Sequence, residues 1–171
     1  MPIKATDLLK KQHRKVEQLF KALEKGKGDP QATLQELAND LAAHMAVEQT
    51  IFYPSIREAD ETLIAESFEE HAIAELEMKR LLNTDPSDES LFKARVVCLK
   101  EIIQHHVKEE EEELFPKVDK MFEEGSLKEL GGLLKQRFDE AVEEGYAALI
   151  PSSMSKASAD NRRLREARPG E

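Results

Sequence analysis

"HMAVEQTIFYP", residues 44–54, and "HVKEEEEELFP", residues 106–116, align without a gap. Each reads His, three residues, Glu, five residues, Pro, with Phe52 opposite Leu114 and Tyr53 opposite Phe115. The register to Pro116 selects His106 and Glu110 from a stretch of two adjacent histidines and a glutamate run, and leaves His105 without a counterpart. Glu109 and Glu111 to Glu113 then read as a solvated helix face that adds negative potential. A second pair, HRKVE at 13–17 and HAIAE at 71–75, repeats His-x-x-x-Glu in the helix before each of these segments. The chain therefore reads as two helical hairpins related by a pseudo-twofold.

Helical periodicity extends outward from these segments. Thr6 and Asp7 offer an N-cap for a first helix with Leu9, Val16, Phe20 and Leu23 on one face, ended by Gly26 and Gly28. Asp29 followed by Pro30 starts a second, striped by Leu34, Leu37, Leu41 and Met45 and running to the mid-50s. Asp60 caps a third, with Leu63 or Ile64, Phe68, Ala72, Leu76 and Leu82, which stops in the turn formers 83–87. The fourth begins near Ser87, carries Phe92, Val96, Leu99, Ile103 and Leu114, and is expected to kink or stop at Pro116. Ser126 with Glu129 reads as the capping box of a fifth helix, through Leu127, Leu130, Leu134, Phe138 and Val142 to about Leu149.

The fold class expected is all-α: an up-down-up-down antiparallel four-helix bundle with an additional C-terminal helix as a lid, over residues 1–150. Residues 151–171, rich in Ser and Arg, read as a flexible tail, and their RRLREAR segment is a weak hint of a partner. Apolar residues are 40%, charged residues 35%, and Trp is absent, a mix that favours helices. A net charge of -10 argues against nucleic acid or an anionic membrane as the main partner, since phosphate binding needs a basic surface. Cys98 is the only cysteine, which excludes an internal disulfide and reads as a small core residue in a reducing compartment. No stretch approaches the roughly 20 apolar residues of a membrane span, so a cytoplasmic location is expected.

Four of the five histidines occupy equivalent places, one per helix. His13 continues the stripe of Leu9 and Val16, His44 that of Leu41, His71 that of Phe68, and His106 that of Ile103. All four therefore face the interior, where unpartnered ring nitrogens are costly. Residues i and i+4 share a helix face, so each His can bring a glutamate with it. His13, His44, Glu48, His71, Glu75, His106 and Glu110 are the candidate metal ligands. Imidazole with carboxylate suits Fe, Zn or Mn, and seven groups exceed one tetrahedral zinc, so two ions fit, with Glu48 and Glu110 bridging and Glu75 terminal. Glu17 reads as a solvated residue, and the remaining alternative is a metal-free bundle with a buried polar network.

The chain resembles the hemerythrin-like, HHE cation-binding family over about residues 5–122. The resemblance rests on His13, His44-x-x-x-Glu48, His71, His106-x-x-x-Glu110 and the closing phrases "IFYP" and "ELFP". It implies a four-helix bundle around a non-haem centre of two iron ions (Fe2+/Fe3+) with an oxo or hydroxo bridge. His13, His44, Glu48, His71, His106 and Glu110 would take the family's ligand roles. Oxygen-carrying hemerythrins differ in having His-x-x-x-His on the third helix, where this chain has Glu75, and an Asp one residue further along the fourth. A more anionic set favours ferric iron and turnover of peroxide, O2 or NO over reversible oxygen carriage. The alternatives are an oxygen-binding protein or an iron sensor or store. The ferritin-like signature Glu-x-x-His is absent, since no histidine has a Glu three residues before it.

Overall fold

The computed structural model describes residues 2–85 and 87–150. The tail expected from Pro151 lies outside the described residues. These are all-helical, in the order α1 (Ala5–Lys25), α2 (Pro30–Val47), a π-helical turn π1 (Glu48–Phe52), α3 (Tyr53–Ser55), α4 (Glu61–Leu82), α5 (Glu89–Glu109), a second π-helical turn π2 (Glu110–Leu114), α6 (Phe115–Met121), α7 (Glu124–Glu144) and α8 (Tyr146–Leu149). No helix among them is long and apolar enough to cross a membrane.

The helix starts follow the capping residues in part. Asp29 accepts a hydrogen bond from the Gln31 N–H, Asp60 from the N–H groups of Thr62 and Leu63, and Asp88 from that of Leu91. Each satisfies amides that the first helical turn leaves without a partner. Two expected caps do not form. Helix α1 starts at Ala5 behind Lys4, and Thr6 is buried, donating to Asp119 Oδ1 at 2.8 Å. Helix α7 starts at Glu124 behind Glu123, so Ser126 and Glu129 already lie within the helix. Leu76 is exposed, because the core-facing positions beyond Ala74 are Met78 and Leu81. Cys98 is exposed as well, one position short of the core residue Leu99.

The second and fourth hairpin arms do not run as unbroken α-helix into their prolines. In α geometry the Pro54 ring would press on the carbonyl four residues back and leave it without a donor. Here the Tyr53 N–H reaches back five residues to the Glu48 carbonyl, and the Phe115 N–H to that of Glu110. Each turn holds one extra residue and the helix continues through the proline. The repeated spacing of five residues from Glu to Pro is thus the mark of a π turn, a feature common at functional sites.

Apolar side chains form two blocks. One contains Phe20, Leu37, Leu41, Met45, Met78, Leu81, Leu99 and Ile103. The other contains Leu9, Phe52, Tyr53, Phe68, Leu114, Phe115 and Val118 from the same helices, with Leu127 and Leu134 from α7. The buried histidines and glutamates lie on the same helices between these sets of positions. Helix α7 packs against α1 and α2. At Gly131 a side chain would overlap the Ile3 carbonyl, so the glycine permits the backbones to approach.

Candidate metal centre

Four helices deliver one imidazole each to the layer between the apolar blocks. His13, His44, His71 and His106 are all at most 3% exposed, and Glu48 and Glu110 at most 1%. Their ligating atoms fall into two groups within 4.8 Å: His13, His44, Glu48 and Glu110 in one, and Glu48, His71 and His106 in the other. The pseudo-twofold is visible in the distances. His13 Nε2 lies 3.1 Å from His44 Nε2, and His71 Nε2 lies 3.0 Å from His106 Nε2. Glu48 reaches His44 at 3.2 Å with one oxygen and His71 at 3.3 Å with the other. Glu110 Oε2 lies 3.2 Å from His13 and 3.5 Å from His106. Each glutamate therefore touches a histidine of its own hairpin and one of the other.

The remaining ring nitrogens fix the tautomers. His13 Nδ1–H donates to Glu111 at 2.7 Å, His44 Nδ1–H to Gln12 Oε1 at 2.8 Å, and His106 Nδ1–H to Glu70 at 2.7 Å. With the proton on Nδ1, the Nε2 lone pairs of His13 and His44 point at each other. Two lone pairs at 3.1 Å repel unless a proton or a cation lies between them. Two nitrogens bound at right angles to one first-row ion, with bonds of about 2.1 Å, lie about 3.0 Å apart. The spacing of both pairs fits that arrangement. Glu48 Oε1 and Glu110 Oε2 accept no hydrogen bond although fully buried. Buried carboxyl oxygens without a partner are costly, and a bound cation would satisfy them.

Electrostatics in the metal-free chain point the same way. Burial, reinforced by Glu110, pushes the Glu48 carboxyl well above its ordinary range. Burial acts upward on Glu110 as well, but His106, His13 and His71 outweigh it and hold that carboxyl at about 2. Burial lowers His44 and His71 well below the usual imidazole value, with neighbouring histidines adding to the effect. For His13 burial is outweighed by Glu110 and Glu111, which raise it.

The structure does not bring Glu75 into either group, though it is buried. Glu48 meets His71, whereas Tyr53, later in the chain, packs on Phe68, earlier in α4, at 5.5 Å between ring centres. Helix α4 therefore runs opposite to π1, and Glu75 lies one turn beyond His71, beside Ala74 and Met78 of the other apolar block. The residues so grouped are four His and two Glu, with Glu75 outside both groups. Glu17 pairs with Lys21 at 2.8 Å on the outer face of α1. His105 is exposed, and with Glu70 and Glu109 forms a separate surface group.

Three residues at the centre carry no mark in a single-position reading. Glu111, expected on a solvated face, is partly buried and joined to both His13 and Arg14. Glu70 and Gln12 each precede a ligand histidine, and the repeat that pairs His13 with His71 also pairs these two. Tyr53, the residue before Pro54, also reaches the centre. Its hydroxyl donates to Glu110 Oε1 at 2.9 Å and lies 3.4 Å from both Glu48 Oε2 and His71 Nε2. Its repeat mate Phe115 stacks on the His13 ring at 5.9 Å. Between α1 and α5 a surface groove of about 300 Å³ reaches His13 and Glu111. A void of about 10 Å³ behind it is lined by His13, His44 and His106 with Val16, Leu41 and Ile103.

Fold and site together define a helical protein with a buried His and Glu cluster able to hold a cation. The hemerythrin HHE cation binding domain matches residues 4–118, about two-thirds of the chain, and the chain belongs to that family. The match ends before α7. A DNA nickase from Nostoc sp. (strain PCC 7120 / SAG 25.82 / UTEX 2576) is 35% identical over 117 residues, covering 64% of this chain. The chain spans only 32% of that relative's length. No solved structure matches.

Proposed function

We propose that this chain is a non-haem di-iron protein that binds and reduces a small oxidant, peroxide, O2 or NO, inside an up-down-up-down bundle of α1, α2, α4 and α5. The supporting observation is the convergence of four Nε2 atoms in two pairs, three of them on rings whose Nδ1 protons are committed elsewhere. His13 and His44 would hold one ion, His71 and His106 the other, with Glu48 and Glu110 between them. Bound iron supplies the electrons and an open coordination position.

The chain's own residues do the rest. Val16, Leu41, Met45, Ile103 and Val107 keep the void beside the histidines apolar. At about 10 Å³ it is near the minimum for one water, which restricts the ligand to a few atoms. Among the described residues Tyr53 is the hydroxyl that reaches both bridging carboxylates, and it holds a proton against Glu110. Burial, then Glu110 and Glu48, raise that phenol well above its ordinary value, so it stays protonated as a donor. Reversible oxygen binding or iron sensing is the second reading, favoured by ligation from four helices, which couples metal binding to folding. DNA cleavage is not adopted: most of the nickase lies outside the match, and a net charge of -10 opposes phosphate.

The test is anaerobic reconstitution with ferrous iron, a metal count per chain, and mixing with peroxide, O2 or NO. Two irons per chain and rapid oxidation are expected. A stable, reversible oxygenated spectrum would overturn turnover in favour of carriage, and a chain that takes up only one iron would overturn the two-ion centre.

A further inference from the structure

The repeat relates not only the ligands but the residues behind them. Gln12 and Glu70 each precede the first histidine of their hairpin, and Gln49 and Glu111 each follow the bridging glutamate. In space, Gln12 backs His44 and Glu70 backs His106, both across to the other helix of the same hairpin. Glu111 backs His13 across the two hairpins. Gln49 holds the place that would back His71, but His71 Nδ1 and Gln49 Nε2 are both buried without a hydrogen-bond partner among the described residues. Each pair of equivalent positions thus carries one carboxylate and one amide, and the carboxylates fall on opposite sides. His13 belongs to one group of ligands and His106 to the other.

We infer that Glu111 and Glu70 are positioning residues, one for each ion: Glu111 acts through His13 on the ion held with His44, and Glu70 through His106 on the ion held with His71. The inference rests on the two-ion reading above. An imidazole whose Nδ1–H donates to a carboxylate is a stronger base at Nε2 than one donating to an amide, and its ring is fixed in orientation. Glu111 is held in place by Arg14 as well as His13. Glu70 uses its second oxygen toward His105 at 3.4 Å. Neither glutamate touches the ligating face of the centre, and the two share no partner, so their effects separate by ion.

Co2+ is the probe, with two readouts. Titration against a competing chelator resolves the affinity of each ion, and proton NMR of the Co2+-loaded chain shows the paramagnetically shifted ring N–H signals, assigned by loss in His13→Ala and His106→Ala. Glu111→Gln is expected to weaken one ion about 10- to 100-fold and move the His13 N–H signal. Glu70→Gln should weaken the other ion by a similar factor and move the His106 signal. Gln12→Ala and Gln49→Ala should change affinity less than either. If a histidine variant fails to fold, the glutamate variants still decide, because their amides preserve shape. Both variants weakening the same ion, or leaving both affinities and both signals unchanged, overturns the inference. Failure of the underlying reading appears differently, as a wild-type chain that takes up no more than one Co2+.

Discussion

Replacing His106 with alanine, set against the same change at its neighbour His105, separates a core ligand from a surface residue one position away. His106 is 2% exposed, donates to Glu70 at 2.7 Å and faces Glu110 at 3.5 Å. The His105 side chain is 66% exposed, with its nearest carboxylates at 3.4 Å. Truncating His106 leaves Glu70 short of a donor and opens a cavity, a cost of about 1–3 kcal/mol before any metal is considered. Losing one bound ion removes about 2.7 kcal/mol more when free metal is about 100 times its dissociation constant. The sum, about 4–6 kcal/mol, corresponds to a fall in Tm on the order of 10–20 °C for a chain of this size. His105→Ala should stay within about 0.5 kcal/mol. Thermal melts with and without iron, paired with elemental analysis, give both numbers. Equal metal content in the two variants, or loss of metal from His105→Ala, would refute the register that Pro116 imposes.

Further outcomes follow from other contacts. Cation binding must displace the protons that the raised Glu48 and His13 carry in the metal-free chain. Affinity should therefore increase as pH rises through and above the ordinary imidazole value, and calorimetry in buffers of different ionisation enthalpy should register proton release; a flat affinity with no release contradicts this. Tyr53→Phe removes a buried donor to Glu110 and should lower stability by about 1.5–3 kcal/mol while two metals are retained, as chemical denaturation and metal analysis would reveal. Gly131→Ala should destabilise by about 1–3 kcal/mol because the added methyl meets the Ile3 carbonyl. Gly132→Ala, with nothing within 4 Å, should instead stabilise by up to about 1 kcal/mol, so the two neighbours differ in sign.

The alignment of residues 44–54 with 106–116 selects His44, Glu48, His106 and Glu110, and the second pair, 13–17 with 71–75, adds His13 and His71, because an exact spacing shared by two segments is a property of linear sequence. Helical class followed from the 3.6-residue stripes and from Asp29 and Asp60, whose capping is local chemistry. Local signals also misled. Thr6 and Ser126 look like caps, yet Thr6 bonds to Asp119 more than a hundred residues away and Ser126 lies within a helix that starts earlier. Glu75 has the same spacing from its histidine as Glu48 and Glu110 have from theirs, but α4 runs opposite to π1 and Glu75 falls outside both groups. Chain direction is not encoded in a motif. Only the tertiary structure took Glu111 off the solvated face, since it gains its role from His13 on another helix. It also decided where the helix widens into a π turn to carry Tyr53 under the glutamates, because the cost of that turn is offset by packing that lies far away in sequence.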